Sequence, residues 1–472
     1  MLRANAASSA VLRPDRGQSA PFLGLRPKNR HAALLVAYFE VQNYVPRFLP
    51  GGFWGQHVRM VLTSSRKILR FVMFYWGETM SYKQFLPPKR VLMGPGPSDV
   101  PVRILHAMAR PTIGHLDPCF IRLMDEIKVL LQSAFKTNNA LTLPVSAPGS
   151  AGMETCFVNL VEPGDKVIVC VNGVFGRRMV ENVERCGGVA IVVDDPWGQE
   201  VSLEKVSATL VQNSDAVALA FVHAETSTGV ISDAKALCAL AHRYGCLSIV
   251  DAVTSLGGIE LDVDGWGIDA IYSGTQKCLS ASPGISPVSF SDLAVKKIRA
   301  RKSPVQSWFL DLNLVMNYWG SSAKRVYHHT APINALYGLH EALLMLHEEG
   351  LTASWERHAY HHQALKCGLE ALGLQFAVDE QCRAPQLNAI HVPSGLDDAA
   401  IRSDLLNTYN LEIGAGLGAF AGKIWRIGLM GQSASKDNVL FCLTAFESVL
   451  HKHDFFCKPG AGLKAAQQFY SQ

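Results

Sequence analysis

The stretch Tyr-Ser-Gly-Thr-Gln-Lys at residues 272–277 ends in Lys277, and the apolar stretch Ser-Ile-Val-Asp at residues 248–251 ends in Asp251. A lysine that is buried after a glycine-containing turn can lose its proton and attack a carbonyl carbon. An aspartate beside it can keep the nitrogen of a pyridine ring protonated. The pair predicts a Schiff-base site for pyridoxal phosphate, and the alternative is a surface lysine that follows a strand.

Apolar, β-rich runs alternate with helical patterns on both sides of this pair, from about residue 112 onward. The alternation is typical of a doubly wound α/β domain, in which crossover helices join parallel strands. Ser232 is a suitable N-cap for the helix before the strand of Asp251. The predicted strands are 166–171, 189–193, 216–223, 246–251 and 270–273, and the predicted helices between them are 177–185 and 233–244. We therefore expect a mostly parallel sheet.

The pattern changes beyond about residue 335. Two long helical stretches, 336–349 and 351–372, precede shorter strand-like runs at 389–392 and 425–429, which predicts a second, smaller α+β domain. The expected organisation is a basic N-terminal extension at 1–79, an N-terminal arm at 80–111, a large domain at 112–350, a small C-terminal domain at 351–460 and a tail at 461–472.

Charge is distributed unevenly along the chain. Residues 1–90 hold 14 of the 44 Lys and Arg and 3 of the 40 Asp and Glu, which leaves 30 against 37 in residues 91–472. This mildly acidic body argues against a nucleic-acid surface. The basic leader, rich in Ser, Ala and Leu, is typical of a mitochondrial presequence, whereas Met80 offers an internal start. A peroxisomal or cytosolic location stays open, although the C-terminus is not of the S-K-L type.

The 11 cysteines are scattered without a C-x-x-C pair or the His and Cys spacing of a zinc site. This usage indicates reduced thiols in an intracellular compartment and predicts no metal site. No apolar run reaches the roughly 18 residues that a membrane span requires, so we expect no membrane partner.

Four turns follow predicted strands, at the edge where open α/β sheets bind ligands. In the first, Gly149 and Ser150 are small enough to let free helix N–H groups reach a phosphate. The second holds Phe175, whose ring could stack on a flat cofactor, and the third holds Thr226, whose hydroxyl could reach its phenolate oxygen. The fourth follows the aspartate and offers Val253 as an apolar shelf. Each turn by itself is also compatible with an ordinary connection.

With these turns in place, the chain from about Val91 to Lys452 resembles the class V aminotransferases of pyridoxal-phosphate fold type I, and among them the alanine–glyoxylate (serine–pyruvate) group. The matching motifs are Gly-Pro-Gly-Pro-Ser at 94–98, Gly-His-Leu-Asp-Pro at 114–118, His-Ala-Glu-Thr-Ser-Thr-Gly at 223–229, Ser-Gly-Thr-Gln-Lys at 273–277 and Arg-Ile-Gly-Leu-Met-Gly at 426–431. The resemblance implies an α/β fold with a mostly parallel seven-stranded sheet and a smaller C-terminal α+β domain.

The same resemblance implies a role for each matched residue. Lys277 would form the Schiff base, with Gln276 before it at the cofactor, and Asp251 would pair with the ring nitrogen. Thr226 would lie near the phenolate oxygen. Relatives often have Ser-Gly-Ser-Gly-His where this chain has Ser-Ala-Pro-Gly-Ser at 146–150, and commonly Trp where it has Phe175.

Substrate and partner roles are implied in the same way. Arg426 would bind the α-carboxylate of the substrate, near Gly96 of the first motif. Tyr327 and Thr330 would reach the phosphate of the neighbouring subunit's cofactor, which implies a homodimer with the cofactor site at the interface. The implied reaction moves an amino group from alanine or serine to glyoxylate, and serine–pyruvate or kynurenine-type transamination is the alternative.

Three other classes compete with this interpretation. A cysteine desulfurase needs a reactive cysteine on a mobile late loop, whereas Cys367, Cys382 and Cys442 lie in predicted helices or ordinary connections. A scaffold without cofactor would not need lysine, aspartate and arginine together. A dinucleotide-binding dehydrogenase would need a G-x-G-x-x-G turn between a strand and a helix, which the sequence lacks.

Overall fold

The computed structural model describes residues 84–320 and 325–472, together with the backbone of three strands in the N-terminal unit. The chain divides into two compact units, Met1–Pro87 and Pro88–Gln472. Apart from those three strands, the predicted basic extension at 1–79 and the candidate start at Met80 lie outside the described residues. In the first unit, the strands form an antiparallel sheet in the order β1-β2-β3: β1 Val36–Ala37, β2 Val58–Ser65 and β3 Ile68–Tyr75.

The second unit contains the elements that position the site. Its strands are β4 Val91–Leu92, β5 Leu141–Val145, β6 Lys166–Val171, β7 Val189–Asp194, β8 Ala218–Val222, β9 Ala224–Glu225, β10 Val230–Ile231, β11 Leu247–Asp251, β12 Ala270–Tyr272, β13 Ser286–Phe290, β14 Leu387–His391, β15 Leu411–Glu412, β16 Gly414–Ala415 and β17 Ile424–Gly428.

Its helices are α1 Val102–Met108, α2 Pro118–Phe135, α3 Gly149–Leu160, α4 Val174–Arg185, α5 Leu203–Gln212, α6 Ala234–Arg243, α7 Val263–Trp266, α8 Asp292–Arg299, α9 Leu312–Trp319, α10 Ile333–Glu349, α11 Leu351–Ala371, α12 Asp398–Tyr409, α13 Lys436–Lys452 and α14 Ala461–Tyr470.

A seven-stranded sheet in the order β5-β13-β12-β11-β8-β6-β7 forms the centre of this unit. The neighbouring pairs from β12 to β7 are parallel, and only β13 runs antiparallel to its two neighbours. The central strands are mostly apolar and buried along nearly their whole length, as expected for strands covered on both faces. The predicted α/β fold with a mostly parallel seven-stranded sheet is confirmed.

Helix α2 shows how local sequence sets the packing of the helices. The Asp117 side chain caps its first turn by accepting a hydrogen bond from Cys119 N at 2.7 Å, and Pro118 occupies the first helical position. Its buried residues recur at helical spacing and form one apolar stripe: Phe120, Met124, Ile127, Leu131, Ala134 and Phe135. The stripe becomes part of the large hydrophobic core around the sheet.

The predicted cap of helix α6 was wrong by one residue. Asp233, and not Ser232, caps the helix by accepting a hydrogen bond from Ala236 N at 2.9 Å. Ser232 is buried, and its hydroxyl accepts a hydrogen bond from Val201 N at 3.1 Å. The Ser232 hydroxyl therefore accepts from a backbone N–H that is distant in sequence and does not cap helix α6.

A second hydrophobic core is built from α11 to α14 around a three-stranded antiparallel sheet in the order β14-β17-β16. Residues from the predicted N-terminal arm join it, because β4 pairs in parallel with β15 and Met93 is fully buried there. Residues 461–472, set apart by the sequence as a tail, contain α14, which packs against α11 and buries Ala466. The strand β17 of this core carries Arg426.

The described residues include neither a candidate membrane span nor a candidate metal cluster. No helix among them has the length and apolar character needed to cross a membrane. Nor do they contain a group of three or more His, Cys, Asp and Glu side chains suited to a metal ion. All 11 cysteines are in this part of the chain and are free thiols.

Candidate active site

The carboxyl ends of the three central strands β8, β11 and β12 lie side by side. Asp251, the last residue of β11, is opposite Val222 of β8 on one side and Tyr272 of β12 on the other. Lys277 follows β12 after a turn of four residues. The parallel register therefore brings the predicted aspartate and lysine to one edge of the sheet, which is where such sheets bind ligands.

Lys277 is buried, with 9% of its surface exposed. Its amine donates a hydrogen bond to the carbonyl oxygen of Pro95, and its own carbonyl accepts one from Ser98 Oγ at 2.7 Å. Gly96 has φ of +106°, and a Cβ there would lie 2.6 Å from Lys277 Nζ, so only glycine fits beside the amine. Burial, followed by the positive charge of Arg426, lowers the pKa of Lys277 to about 8.

Asp251 is also buried and receives two hydrogen bonds, from Val253 N at 2.8 Å and from the Tyr272 hydroxyl at 2.7 Å. Burial raises the pKa of Asp251 to about 6, and the two hydrogen bonds oppose that rise. The sequence did not point to Tyr272. The sequence does place a tyrosine at the end of the neighbouring strand. That it contacts Asp251 depends on the register of the two strands, which the sequence does not give.

Arg426 comes to the same edge from the second core. Its Nε donates to Ala415 O at 2.7 Å and its Nη1 to Thr226 O at 3.0 Å. The side chain is buried, and among the described residues no carboxylate forms an ion pair with it. Burial lowers the pKa of Arg426 to about 10, which leaves it cationic at neutral pH. A buried cation of this kind can accept a carboxylate from a substrate.

The predicted phosphate turn begins helix α3 beside the turn after β12. A Cβ on Gly149 would lie 3.4 Å from Val253 Cγ2 and 3.5 Å from Ser273 O, so the helix N-terminus approaches both strand ends closely. Ser150 is exposed, and its hydroxyl accepts a hydrogen bond from Arg178 Nη1 at 3.2 Å. The chain thus places free backbone N–H groups, a hydroxyl and an arginine together at the start of α3.

Phe175 and Thr226 lie on the other side of this edge. Phe175 is partly buried in the first turn of α4, with the Arg178 guanidinium 4.9 Å from the centre of its ring. Thr226 is buried in the turn between β9 and β10, where its hydroxyl hydrogen-bonds to the Thr254 hydroxyl. Thr254, three residues after Asp251, was not singled out by the sequence.

Gln276 and the segment 325–330 complete the predicted set. The Gln276 Oε1 atom is buried and has no hydrogen-bond partner among the described residues. Tyr327 and Thr330 are exposed, although neighbouring His329 is tied by its Nε2 to Ser146 Oγ, at 2.7 Å, just before the α3 turn. Within the part of the chain that the structure describes, neither exposed residue hydrogen-bonds to Lys277.

The Aminotransferase class-V family profile matches residues 105–428, which is more than half of the chain. The chain belongs to the class V aminotransferase family. It is 43% identical over 371 residues to the alanine–glyoxylate aminotransferase of Oryctolagus cuniculus, across 78% of this chain and 94% of that protein. Members of this family use pyridoxal phosphate, so the chain is a pyridoxal-phosphate-dependent aminotransferase.

Two solved structures are similar to this class V aminotransferase over most of its length. The ureidoglycine–glyoxylate aminotransferase of Bacillus subtilis has a TM-score of 0.80 at 37% identity and covers 83% of this chain and 100% of its own. The alanine–glyoxylate aminotransferase of Nostoc sp. has a TM-score of 0.77 at 43% identity and covers 80% and 100%.

The residues of this aminotransferase fit the cofactor on three observations. A buried amine, Lys277, has a lowered pKa and no acidic partner in hydrogen-bonding distance among the described residues. A buried amide oxygen, on Gln276, has no partner, which is costly unless a ligand supplies one. Helix α3 begins at Gly149 without a side-chain cap, so its first backbone N–H groups are suited to an anion such as a phosphate. The chain thus offers an amine, a polar contact and an anion cradle at one edge.

Proposed function

We propose that this class V aminotransferase moves the amino group of alanine, or of serine, to glyoxylate. The observation that carries this proposal is Arg426, a buried guanidinium without an acidic partner in the described residues, close enough to Lys277 to lower the pKa of its amine. A bidentate arginine next to a nucleophilic lysine suits an α-amino acid. The names of the relatives from Oryctolagus cuniculus and Nostoc sp. support the donor and acceptor.

Each buried residue has a defined task in this reaction. When bound, pyridoxal phosphate supplies an electron sink that makes the Cα–H bond of an amino acid acidic. Lys277 Nζ is partly unprotonated near neutral pH because its pKa is about 8. The free amine can form a covalent bond to a carbonyl carbon, and when released it can accept the α-proton and return it. Asp251 presents its carboxylate to the ring nitrogen, and Arg426 fixes the substrate carboxylate so that the α-proton faces Lys277.

The remaining predicted residues are assigned to the cofactor's periphery. Gly149 and Ser150 serve its phosphate, Thr226 its phenolate oxygen, and Phe175 and Val253 its ring faces, while Gln276 contacts the cofactor next to Lys277. What supports these assignments is their arrival at one edge of the sheet from separate segments. Gly96 serves the substrate, because it lies against the Lys277 amine.

We also propose that two chains form a dimer with the cofactor site at their interface. Tyr327 and Thr330 are exposed, so a partner chain can use them as phosphate ligands without rearrangement. Their segment is tied through His329 to Ser146, near the start of α3, which supports a position at the rim of the site. Both assignments rest on the family resemblance together with this exposure.

The desulfurase alternative has less support. Cys442 is fully buried in α13, and burial raises the pKa of its thiol to about 12, so it is not a thiolate at neutral pH. Cys367 lies in α11, and the pKa of Cys382 is raised by burial. A nucleophilic cysteine needs the opposite shift of its pKa.

Location is a separate proposal. The basic composition of residues 1–79 supports delivery to mitochondria, with a peroxisomal or cytosolic location as the alternatives. N-terminal sequencing of the protein isolated from mitochondria would show whether this segment is removed.

The substrate assignment is tested by a panel of amino donors. Alanine, serine, kynurenine and (S)-ureidoglycine are each assayed with glyoxylate and with pyruvate, and we expect the highest kcat/KM for alanine with glyoxylate. Arg426→Lys should lower kcat/KM for every α-amino acid by about 50-fold, because it loses a bidentate carboxylate contact. It should leave the near-visible absorbance of the bound cofactor unchanged.

Arg402→Lys is the matched control, because Arg402 pairs with Asp398 within α12. It should keep wild-type kinetics. If Arg426→Lys leaves KM and kcat unchanged for all donors, the carboxylate contact lies elsewhere. A donor other than alanine at the top of the panel would replace alanine in the proposal while keeping the reaction class.

A further inference from the structure

Glu225 is a buried carboxylate at the same edge of the sheet to which no role has so far been assigned. It is 1% exposed and ends β9, just before Thr226. Its Oε1 accepts hydrogen bonds from Ser227 N at 2.9 Å and Ser227 Oγ at 2.6 Å, and its Oε2 accepts one from Phe175 N at 3.1 Å. The N–H of Gly176 is a further donor. Burial raises the pKa of Glu225, and these donors oppose the rise.

These contacts cap helix α4 from a distant segment. The N-cap position of α4 is Gly173, which has no side chain to satisfy the first N–H groups of the helix. Glu225 accepts from the second and third helical residues, and Ser227 Oγ accepts from Val174 N at 2.9 Å. The turn between β9 and β10 therefore replaces a local cap and fixes the start of the helix that carries Phe175.

Gly173 shows that this arrangement depends on close contact. A Cβ built on Gly173 would collide with Glu225 and with Ser227 Oγ. Its φ of 178° is extended backbone that any residue can adopt, so the glycine is needed for space and not for conformation. The absence of a side chain at Gly173 therefore leaves the space that the Glu225 carboxylate occupies.

Glu225 also acts on Arg426 by charge. The negative charge of Glu225 opposes the effect of burial on the pKa of Arg426, yet no ion pair between these two described residues is formed. Two donors from Ser227 and two from the start of α4 hold the carboxylate, so it does not pair with the guanidinium. The neighbouring Thr226 carbonyl accepts from Arg426 Nη1 instead. A counter-charge at a distance stabilises the buried cation and leaves its outer edge available to a substrate carboxylate.

We propose that Glu225 is a positioning residue that holds Phe175 and Arg426 in place for cofactor and substrate without touching either ligand. This inference rests on the proposed function, because it assigns Phe175 to the cofactor ring and Arg426 to the substrate carboxylate. Glu225 combines two tasks: its carboxylate accepts hydrogen bonds from Ser227 and from the start of α4, and its charge acts on Arg426.

The test is Glu225→Gln, which keeps the size of the side chain. An amide has one acceptor oxygen, and its NH₂ group must face backbone donors, so at least one contact to Ser227 or to α4 is lost. We expect the dissociation constant of pyridoxal phosphate, measured on apo-protein by fluorescence quenching, to rise about tenfold. We expect KM for alanine to rise about fivefold more than kcat falls, because Arg426 loses its counter-charge.

The matched control is Glu341→Gln, which removes a second buried carboxylate, one that pairs with Arg103 and Arg110 between α1 and α10. It should leave cofactor affinity and the ratio of KM to kcat unchanged. Ser227→Ala is the milder second variant, because it removes only one donor to Glu225 and one acceptor for α4. It should weaken cofactor binding about threefold and remains informative if Glu225→Gln does not fold.

The outcomes separate the two proposals. If wild-type protein takes up no pyridoxal phosphate, the proposed function fails. If wild-type protein binds it and both Glu225→Gln and Ser227→Ala bind it equally well with unchanged KM, only the role of Glu225 is overturned. Equal losses in Glu225→Gln and Glu341→Gln would also overturn it, because they would mark a general cost of removing a buried carboxylate.

Discussion

The buried and exposed halves of the candidate site differ sharply. Lys277 and Arg426 are 9% and 6% exposed and fixed by hydrogen bonds within the chain, whereas Tyr327 is 57% exposed. Desolvation lowers the pKa values of both buried groups. The contrast teaches that one chain by itself gathers and buries the amine and the guanidinium, while it leaves the proposed phosphate contacts exposed to solvent.

Lys277→Ala gives the largest expected effect and tests the buried half directly. Loss of the amine removes both the covalent attachment and the proton carrier, so turnover should fall by about 10³-fold or more. The near-visible absorbance of wild-type protein should disappear from the variant. Turnover is measured with added pyridoxal phosphate, and absorbance is measured on purified protein after unbound pyridoxal phosphate has been removed by desalting.

Lys297→Ala is the control for this change. Lys297 is a partly buried lysine that pairs with Asp165 away from the site. It should retain both turnover and absorbance. A Lys277→Ala protein that kept either property would end the assignment of Lys277.

Tyr272→Phe has the next largest expected effect and tests whether the Tyr272 hydroxyl controls the protonation of Asp251. Removal of the hydroxyl takes away a hydrogen bond that lowers the pKa of Asp251, so the pKa of Asp251 rises above its present value of about 6. Activity requires the ionised carboxylate of Asp251. Because its pKa is higher in the variant, the variant should lose activity at a higher pH than the wild type when the solution is acidified. We expect the acid limb of kcat/KM to move upward by about one pH unit, and turnover below that limb to fall about tenfold.

Tyr318→Phe provides the comparison for this prediction. Tyr318 is a fully buried tyrosine whose hydroxyl donates to a backbone carbonyl, His115 O, at 3.2 Å. Its loss should leave the acid limb in place. A downward shift in Tyr272→Phe, or equal shifts in both variants, would show that the hydroxyl does not control Asp251.

The combined variant Tyr327→Phe, Thr330→Ala tests the exposed half and has the smallest expected effect. Loss of two phosphate contacts should weaken cofactor binding about fivefold to tenfold. The sharper experiment coexpresses this variant with Lys277→Ala and purifies the mixed dimer by two affinity tags. If the partner supplies the phosphate contacts, one of the two sites in the mixed dimer is intact, and it should show wild-type cofactor affinity with half of the wild-type turnover.

The mixed dimer distinguishes a site shared by two chains from a site formed by one chain. If each site is formed by one chain, every site in the mixed dimer contains a substitution. In that case no site of wild-type affinity would appear. A protein that stays monomeric at assay concentration would equally contradict the shared site.

The sequence predicted the class of fold and most of the residues at the sheet edge. Apolar runs separated by helical patterns were enough for the mostly parallel sheet, which the structure confirms. The motifs around Lys277 and Asp251 indicated the family, which the profile match confirms. The roles of the individual site residues stay predictions until the variants above are measured.

The residues that the sequence missed are those whose partners lie far along the chain. Tyr272 meets Asp251 across 21 residues, and Glu225 meets Phe175 across 50. The Ser232 error has the same origin, because a donor 31 residues away claimed the hydroxyl. No local pattern contains this information, since strand order and register decide which side chains become neighbours.

By itself the sequence determined which chemical groups this protein has at the predicted site: the amine of Lys277, the carboxyl group of Asp251 and the guanidinium of Arg426. Those properties follow from side-chain type and from short motifs. Only the tertiary structure decided their state. Burial lowers the pKa of Lys277 and raises that of Asp251. The carboxylate of Glu225 binds donors in the turn after β9 and in α4 and forms no ion pair with Arg426. The physical reason is that desolvation and hydrogen bonding depend on neighbours in space and not on neighbours in sequence.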